Sequence, residues 1–168
     1  NELESIPVDA VVGKIRQNLG WVDGVVVTGG EPTSHKQLDA FLALLKDTGI
    51  VVRLDTNGTN PQAIKDLIAR KLLDCIAMDI KSPLQKAKYE LVSGVPCNIE
   101  DIEKSIRIIM ESGIEYEFRT TVCPSQLDGD DIEGIARTIE GARRYILQGF
   151  RPNHCLDSKM LKIEPYPV

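Results

Sequence analysis

Five short apolar segments, each separated from the next by a helix-like segment, constrain the fold of this chain more than any other feature. The segments are GVVV at 24–27, IVVRLDT at 50–56, DCIAMDIKSP at 74–83, IEYEFRTTVCP at 114–124 and RYILQGFRP at 144–152. Continuous apolar strands that alternate with helices are typical of a parallel sheet covered by helices. The sequence therefore predicts an α/β fold, with parallel strands in an open sheet or in a barrel.

The segments between the strands have the periodicity of amphipathic helices. Pro61 is suited to the first turn of one helix, Asn98 to the N-cap of another, and Gly49 and Gly113 to helix ends. No low-complexity linker interrupts the chain, so residues 1–168 are expected to form a single domain. The predicted helices cover 8–19, 35–49, 61–70, 84–91, 98–113 and 130–142.

The charge pattern disfavours several classes of function. The 168 residues contain 20 Lys and Arg against 25 Asp and Glu, giving a net charge of −5, and no stretch is polybasic. Nucleic-acid binding and electrostatic attachment to a membrane are therefore not expected. No apolar run approaches the roughly 20 residues that cross a bilayer, and the first residues do not resemble a signal peptide. We expect a cytoplasmic protein.

The four cysteines do not form a metal-binding motif. Cys75, Cys97, Cys123 and Cys155 are far apart, and no C-x-x-C occurs. A local zinc or iron–sulfur site is therefore not predicted. Cys75 is interpreted as a small core residue, and the adjacent pair His154-Cys155 is only a weak indication of a metal ligand set.

Residues able to do chemistry are concentrated where the predicted strands end. In a parallel α/β sheet or barrel the carboxyl ends of the strands open onto one face, where active sites lie. Residues far apart in sequence would therefore meet in one pocket. They are Thr28, Gly29, Gly30 and Glu31 at the end of the first strand, Asp55, Thr56, Asn57 and Gly58 at the end of the second, Asp79 and Lys81 at the end of the third, Arg119 late in the fourth, and Gln148 and Arg151 at the end of the fifth.

Each group also has a simpler interpretation. Asn57-Gly58 is a common turn dipeptide, Arg119 could be an outward residue of a half-exposed strand, and Asp79 and Lys81 could merely pair with each other. Taken together, the carboxylates, cations and glycines suit a zwitterionic ligand with an amino group and a carboxylate. They do not suit a polyphosphate loop, a Rossmann site or a hydrolytic triad.

Five phrases resemble, in order, the radical S-adenosylmethionine (SAM) superfamily. They are VVVTGGEPT, LDTNG, AMDIK, EFRTTV and QGFRP. The resemblance extends from about Val8 to Pro152 and is strongest to the activating enzymes of glycyl-radical proteins. Within these, the anaerobic ribonucleoside-triphosphate reductase activating proteins are most similar, followed by the pyruvate formate-lyase activating enzymes.

This resemblance implies a fold and a set of site residues. The fold would be a partial (β/α)6 barrel of the TIM type, here without its first βα unit. Gly29, Gly30 and Glu31 would hold the amino group of SAM, with Thr28 also binding the cofactor, while Arg119 would lie near the methionyl carboxylate. Asp79 and Lys81 would border the reacting site and are the catalytic candidates. The remaining expected cofactor-binding residues are Asp55, Thr56, Asn57, Ile80 and Arg151. Ile80 would lie beside SAM, and Arg151 stands where the formate-lyase branch has a His. Asp55, Thr56 and Asp79 would be able to hold a monovalent cation.

The resemblance also implies an activity. In such enzymes a [4Fe–4S] cluster reduces SAM, which yields methionine and a 5′-deoxyadenosyl radical that abstracts a hydrogen from a glycine of a partner protein. The expected partners are a glycyl-radical enzyme, in particular anaerobic ribonucleotide reductase, and a reductant such as flavodoxin or ferredoxin.

One departure from the family concerns the cluster. Its three cysteines, C-x-x-x-C-x-x-C, are absent here, and NELESIP at 1–7 resembles the segment that follows them. We expect them upstream of Asn1 in a chain that is truncated at its N-terminus, so that this chain alone would be inactive. The barrel edge left exposed would favour pairing with a second copy.

Two other functions fit the same residues. One is a partial barrel that binds SAM without catalysing a reaction. The other is an aldolase-type barrel that uses Lys81 as a Schiff base.

Overall fold

A computed structural model describes residues 5–155 and 157–167 of the chain. Residues 1–4 of the segment NELESIP, and the side chain of His154, therefore lie outside the described part. Five strands form one parallel sheet in which the spatial order is the same as the order along the chain. They are β1 (Gly24–Val27), β2 (Val51–Thr56), β3 (Cys75–Asp79), β4 (Glu115–Val122) and β5 (Tyr145–Gly149). The predicted α/β fold with parallel strands is confirmed.

Six α-helices connect or flank these strands in the described residues, at or near their predicted positions. They are α1 (Val8–Gln17), α2 (Leu38–Lys46), α3 (Pro61–Ala69), α4 (Lys86–Ser93), α5 (Ile99–Glu111) and α6 (Gly129–Thr138), with short 3₁₀ turns at Pro32–Ser34, Pro152–His154 and Met160–Lys162. The predicted cap of α5 is present, since the Asn98 side chain accepts a hydrogen bond from the Glu100 N–H at 3.2 Å. None of these helices is long and apolar enough to span a bilayer.

The hydrophobic core lies on one face of the sheet. Leu54 of β2, Met78 of β3 and Phe118 of β4 are completely buried and belong to one cluster with apolar residues of α2, α3 and α5. The intervening strand residues point to the other face. That face carries the charged residues Arg53 and Asp55 together with apolar residues of the neighbouring strands.

Asp74 fixes the pairing of β2 with β3. Its N–H donates to the Val52 carbonyl at 2.9 Å, and its carboxylate accepts from the Val52 N–H at 2.8 Å. The same carboxylate accepts two bonds from the Lys46 ammonium of α2, at 2.7 and 2.6 Å. Burial alone would raise the pKa of Asp74, but the bonds from Lys46 and Val52 outweigh it and lower that pKa. Ionised Asp74 therefore stabilises the junction of the two strands and α2.

We predict that Asp74→Asn lowers the free energy of unfolding at pH 7 by about 1–2 kcal/mol, because Lys46 loses its charged partner. Since the folded-state pKa is below the unfolded one, this stabilisation is present above pH ~4 and is lost as the pH falls through the folded value. Urea unfolding at pH 7 and pH 3 measures both effects. The control is Asp39→Asn, which removes an exposed pair with Arg70 and should change stability less. An equal loss in the two variants at pH 7 would contradict the role of Asp74.

Candidate functional site

The loop after β1 contains two consecutive glycines, Gly29 and Gly30, and its backbone there carries no side chains. Gly29 adopts φ +125, a conformation that side-chain-bearing residues rarely adopt. A Cβ atom added at Gly29 or at Gly30 would meet no heavy atom within 4 Å. The two glycines are therefore not required by packing inside the chain, and another molecule can approach this backbone closely.

Glu31 fastens the loop after β1 to the loop after β2. Its Oε1 accepts hydrogen bonds from the N–H and hydroxyl of Thr33, at 3.1 and 2.6 Å, and from the Thr56 hydroxyl at 2.8 Å. Its Oε2 accepts from the Asn57 N–H at 2.7 Å. Three of the predicted site residues, Glu31, Thr56 and Asn57, are thereby brought into direct contact.

Helix α5 holds the loop after β2 through hydrogen bonds. The Gly58 N–H donates to the Thr56 hydroxyl at 3.1 Å, and the Gly58 carbonyl accepts from the hydroxyl of Ser105 at 2.7 Å. Ser105 is completely buried. A chain of hydrogen bonds therefore runs from α5 through Gly58 and Thr56 to Glu31.

A second group of predicted residues forms ion pairs on the charged face of the sheet. Asp79 and Arg119 are paired in register between β3 and β4. The Arg119 Nε lies 3.0 Å from Asp79 Oδ1, and its Nη1 lies 3.0 Å from Asp55 Oδ2. The Lys81 Nζ lies 3.0 Å from Asp79 Oδ2. The suspected pairing of Asp79 with Lys81 is therefore present, and Arg119 faces the site instead of pointing outward.

The ion pairs continue towards the amino ends of the strands. Arg53 Nε lies 2.7 Å from Asp55 Oδ1, and Arg53 Nη2 lies 2.9 Å from Glu117 Oε1. Glu117 is buried, and its other oxygen lies 3.5 Å from the exposed Arg144. Burial alone would lower the pKa of Arg53, but the carboxylates of Asp55 and Glu117 raise it. Arg53 therefore remains charged and ties β2 to β4.

Tyr89 of α4 supports the residue that carries the Lys81 side chain. Its hydroxyl accepts a hydrogen bond from the Lys81 N–H at 3.3 Å. Burial raises the pKa of Tyr89 to about 12, so this phenol stays neutral at physiological pH.

The side chains of Ile80 and Arg151 lie away from these networks. Ile80 is completely buried, its N–H donates to the Arg119 carbonyl at 2.8 Å, and its carbonyl accepts from the Thr120 hydroxyl at 2.7 Å. Its side chain therefore belongs to the core. Arg151 is exposed and lines a cavity of about 620 Å³ with Thr121, Gln148 and neighbouring residues, at the opposite edge of the sheet from Gly29.

A cavity of about 580 Å³ adjoins the glycine loop. Thr28, Gly29 and Gly30 contribute to its wall, but most of the rest is apolar and comes from the α2 side, including Phe41 and Leu44. Glu31, Asp55 and Asp79 do not line it. We place the candidate site at the strand ends, because the charged groups converge there, and regard this cavity as its neighbour.

The described residues do not fit an iron–sulfur cluster. They contain no group of three or more His, Cys, Asp or Glu side chains that could hold a metal ion. The four cysteines are free thiols at separate positions. Cys75 is only partly buried and is paired in register with Arg53, on the charged face, so its interpretation as a core residue is wrong.

Five further residues of the site are not predicted from the sequence: Arg53, Glu117, Thr33, Ser105 and Tyr89. Arg53 and Glu117 each stand two residues before a predicted site residue in the same strand. The alternation that placed Asp79 beside Lys81 could have found them. Ser105 and Tyr89 carry no comparable signal, because they look like ordinary residues of amphipathic helices.

The fold and the site together define a class of protein: a parallel α/β protein of the partial-barrel kind, with polar and charged residues at the carboxyl ends of its strands. The chain belongs to the radical SAM superfamily, whose family model matches residues 2–140.

Two proteins of Methanocaldococcus jannaschii named as glycyl-radical enzyme activating enzymes are similar in sequence. One is 37% identical over 88% of this chain and 62% of its own length. The other is 31% identical over 79% of this chain and 52% of its own length. The chain thus matches little more than half of each relative.

A solved structure agrees with the fold. A domain of a pyruvate-formate lyase-activating enzyme from Bacteroides vulgatus superposes with a TM-score of 0.65 at 21% identity, over 84% of this chain and 89% of that domain. This likeness supports the partial-barrel fold of the superfamily.

We predict that Gly58→Ala destabilises the protein. Gly58 has φ +76, and an added Cβ would clash with Cε and Sδ of the buried Met78. The matched control is Gly113→Ala, because Gly113 has φ +77 but open space around the Cβ position. Both variants carry the same backbone strain, so Gly58→Ala should lose about 1–3 kcal/mol more, owing to overpacking. Urea unfolding measures the difference, and equal losses would show that Met78 moves aside freely.

We also predict that Ser105→Ala loses about 1–3 kcal/mol of stability, because the buried Gly58 carbonyl is left without this donor. Ser112→Ala is the control, since Ser112 bonds only the Ile109 carbonyl of its own helix end. Hydrogen exchange at the Asn57 and Gly58 amides should accelerate in Ser105→Ala and not in Ser112→Ala. Unchanged exchange would contradict the role of Ser105 in holding this loop.

Proposed function

We propose that this chain is the SAM-binding body of a radical SAM enzyme that activates a glycyl-radical protein. The observation that carries the proposal is the joining of three consecutive strand ends. Glu31 is bonded to Thr56 and Asn57, and Arg119 bridges Asp55 and Asp79. Membership of the superfamily and the two relatives named as activating enzymes support the same conclusion.

The glycine loop would receive the amino end of SAM. The backbone at Gly29 and Gly30, which carries no side chains and has no neighbour within 4 Å of an added Cβ, allows close approach of the ligand, and Thr28 lies next to it. The Glu31 carboxylate, which the Asn57 N–H holds through Oε2, would supply negative charge for the ammonium. Glu31 would therefore act both on the ligand and on the geometry of the two loops.

The ion-pair cluster would receive the other polar groups of SAM. Arg119 would attract the methionyl carboxylate, while Asp79 and Lys81 would border the ribose and the reacting carbon. Pairing keeps these side chains in fixed positions before the ligand arrives, which lowers the cost of ordering them on binding. Arg151, from its place beside the cavity at the end of β5, would contact a more distant part of SAM or of the partner.

The superfamily uses SAM together with a [4Fe–4S] cluster, which supplies the electron that cleaves SAM. The described residues do not fit such a cluster, and we derive no step through it. The described residues would bind and orient SAM. In the whole protein, the glycine of the partner would approach the same strand ends. A glycyl-radical enzyme of the anaerobic ribonucleotide reductase type is the partner that we propose.

The aldolase alternative is disfavoured by one contact. A Schiff-base lysine must attack as a neutral amine. The Asp79 carboxylate, 3.0 Å from the Lys81 Nζ, instead attracts the charged ammonium.

The first test is SAM binding to this chain by isothermal titration calorimetry. We predict that Gly30→Val lowers SAM affinity by about tenfold or more, because a side chain then occupies the space where the ligand meets the backbone. Gly13→Val on α1 is the matched control, since an added Cβ meets no heavy atom within 4 Å at either position. Its SAM affinity should equal that of the wild type.

The second test concerns radical chemistry in the whole protein. Anaerobic reduction with SAM and the glycyl-radical partner should give 5′-deoxyadenosine and a glycyl-radical signal in electron paramagnetic resonance, both reduced by Gly30→Val. SAM binding without either product would favour a non-catalytic SAM-binding barrel. The absence of SAM binding would contradict the proposed function.

A further inference from the structure

The arrangement of Asp55 and Asp79 disagrees with one expectation drawn from the family. The resemblance implies that Asp55, Thr56 and Asp79 are able to hold a monovalent cation. In the structure the space between the two carboxylates is occupied by the guanidinium of Arg119, which lies 3.0 Å from an oxygen of each. The Arg119 side chain is only 14% exposed.

All four carboxylate oxygens of this pair already have cationic partners. Asp55 Oδ1 is bonded to Arg53, Asp55 Oδ2 and Asp79 Oδ1 to Arg119, and Asp79 Oδ2 to Lys81. Arg53 also pairs with Glu117, a further carboxylate of this face. The three carboxylates are therefore all paired with cations from the protein itself, namely Arg53, Arg119 and Lys81, with Arg144 as a fourth at 3.5 Å from Glu117.

The third expected cation ligand is engaged as well. The Thr56 hydroxyl donates to Glu31 Oε1 at 2.8 Å and accepts from the Gly58 N–H at 3.1 Å. Thr56 is buried. A cation that took this oxygen would break the bond from Gly58 and would disturb the Glu31 loop.

Adding a metal cation here would also require Arg119 to leave. A guanidinium withdrawn from both carboxylates but still enclosed on this face would be a partly buried charge without a partner, which is strongly unfavourable. If it stayed, the new cation would face like charges from Arg53, Arg119 and Lys81. The residues present therefore do not fit a separate monovalent cation.

We propose that Arg119 is the built-in cation of this site, so that SAM binding requires no added monovalent metal ion. Its planar guanidinium joins Asp55 to Asp79 and has further N–H donors beyond the two used in these pairs. Those donors suit a third carboxylate, that of the methionyl group of SAM. The statement about SAM rests on the proposed function, whereas the statement about the cation rests only on the geometry.

The test compares chloride salts of sodium, potassium and tetramethylammonium at equal ionic strength, because tetramethylammonium is too large to be chelated by the two carboxylates. Without SAM, the melting temperature of the wild type should agree within about 1 °C in the three salts. Its SAM affinity by calorimetry should agree within about twofold.

The variant Arg119→Met should create the missing cation site. Asp55 and Asp79 then lose their shared partner, and sodium or potassium should raise the melting temperature of this variant above its value in tetramethylammonium. Its SAM affinity should fall by about tenfold in tetramethylammonium and recover in part with sodium or potassium. Arg119→Lys should bind SAM more weakly than wild type in all three salts but remain insensitive to the cation, since it keeps the charge and loses the planar fork.

Arg137→Met is the matched control, because Arg137 makes an exposed pair with Glu133 on α6. It should behave as wild type in every salt. The inference would be overturned if sodium or potassium clearly raised the melting temperature of the wild type, or raised its SAM affinity by about fivefold. This outcome decides the question even if Arg119→Met does not fold. A wild type that binds no SAM in any salt but has a cation-independent melting temperature would contradict the proposed function and support the inference.

Discussion

Neutralisation of charge on one face of the sheet is the constraint on which this structure depends. Six charged side chains from β2, β3, β4 and the residues that follow β3 form one network of ion pairs on that face, and a carboxylate left alone there would be costly. The parallel register supplies partners for these carboxylates, because it places Arg119 beside Asp79 and within reach of Asp55. The same pairs that make the face stable also hold the candidate ligand-binding groups in position.

The sequence predicts the elements of this fold better than the contacts between them. Periodicity is a local property, so the five strands and the helices between them could be located from it, and the convergence of strand ends follows from parallel geometry. The partners of Arg119 depend on the register of three strands, which no local pattern determines. Ile80 illustrates the same limit, because a residue between two site residues points to the opposite face and joins the core.

The site has two parts that are held by different interactions. Around Glu31 the loops are joined by hydrogen bonds from hydroxyl and backbone groups, and a buried serine of α5 supports them. Around Arg119 the strands are joined by ion pairs. In the proposed function, the ammonium of SAM would meet the first part and its carboxylate the second.

The strand order has a consequence for how the chain folds. Every strand pairs with the strand that precedes or follows it along the chain, so sheet formation requires only the closure of loops about one βα unit in length. The entropic cost of loop closure rises with loop length, and folds with short-range pairings form faster than folds that join distant segments. The sheet can therefore nucleate at its centre, because the buried strand residues of the core come from β2, β3 and β4, and it can extend one unit at a time towards both edges.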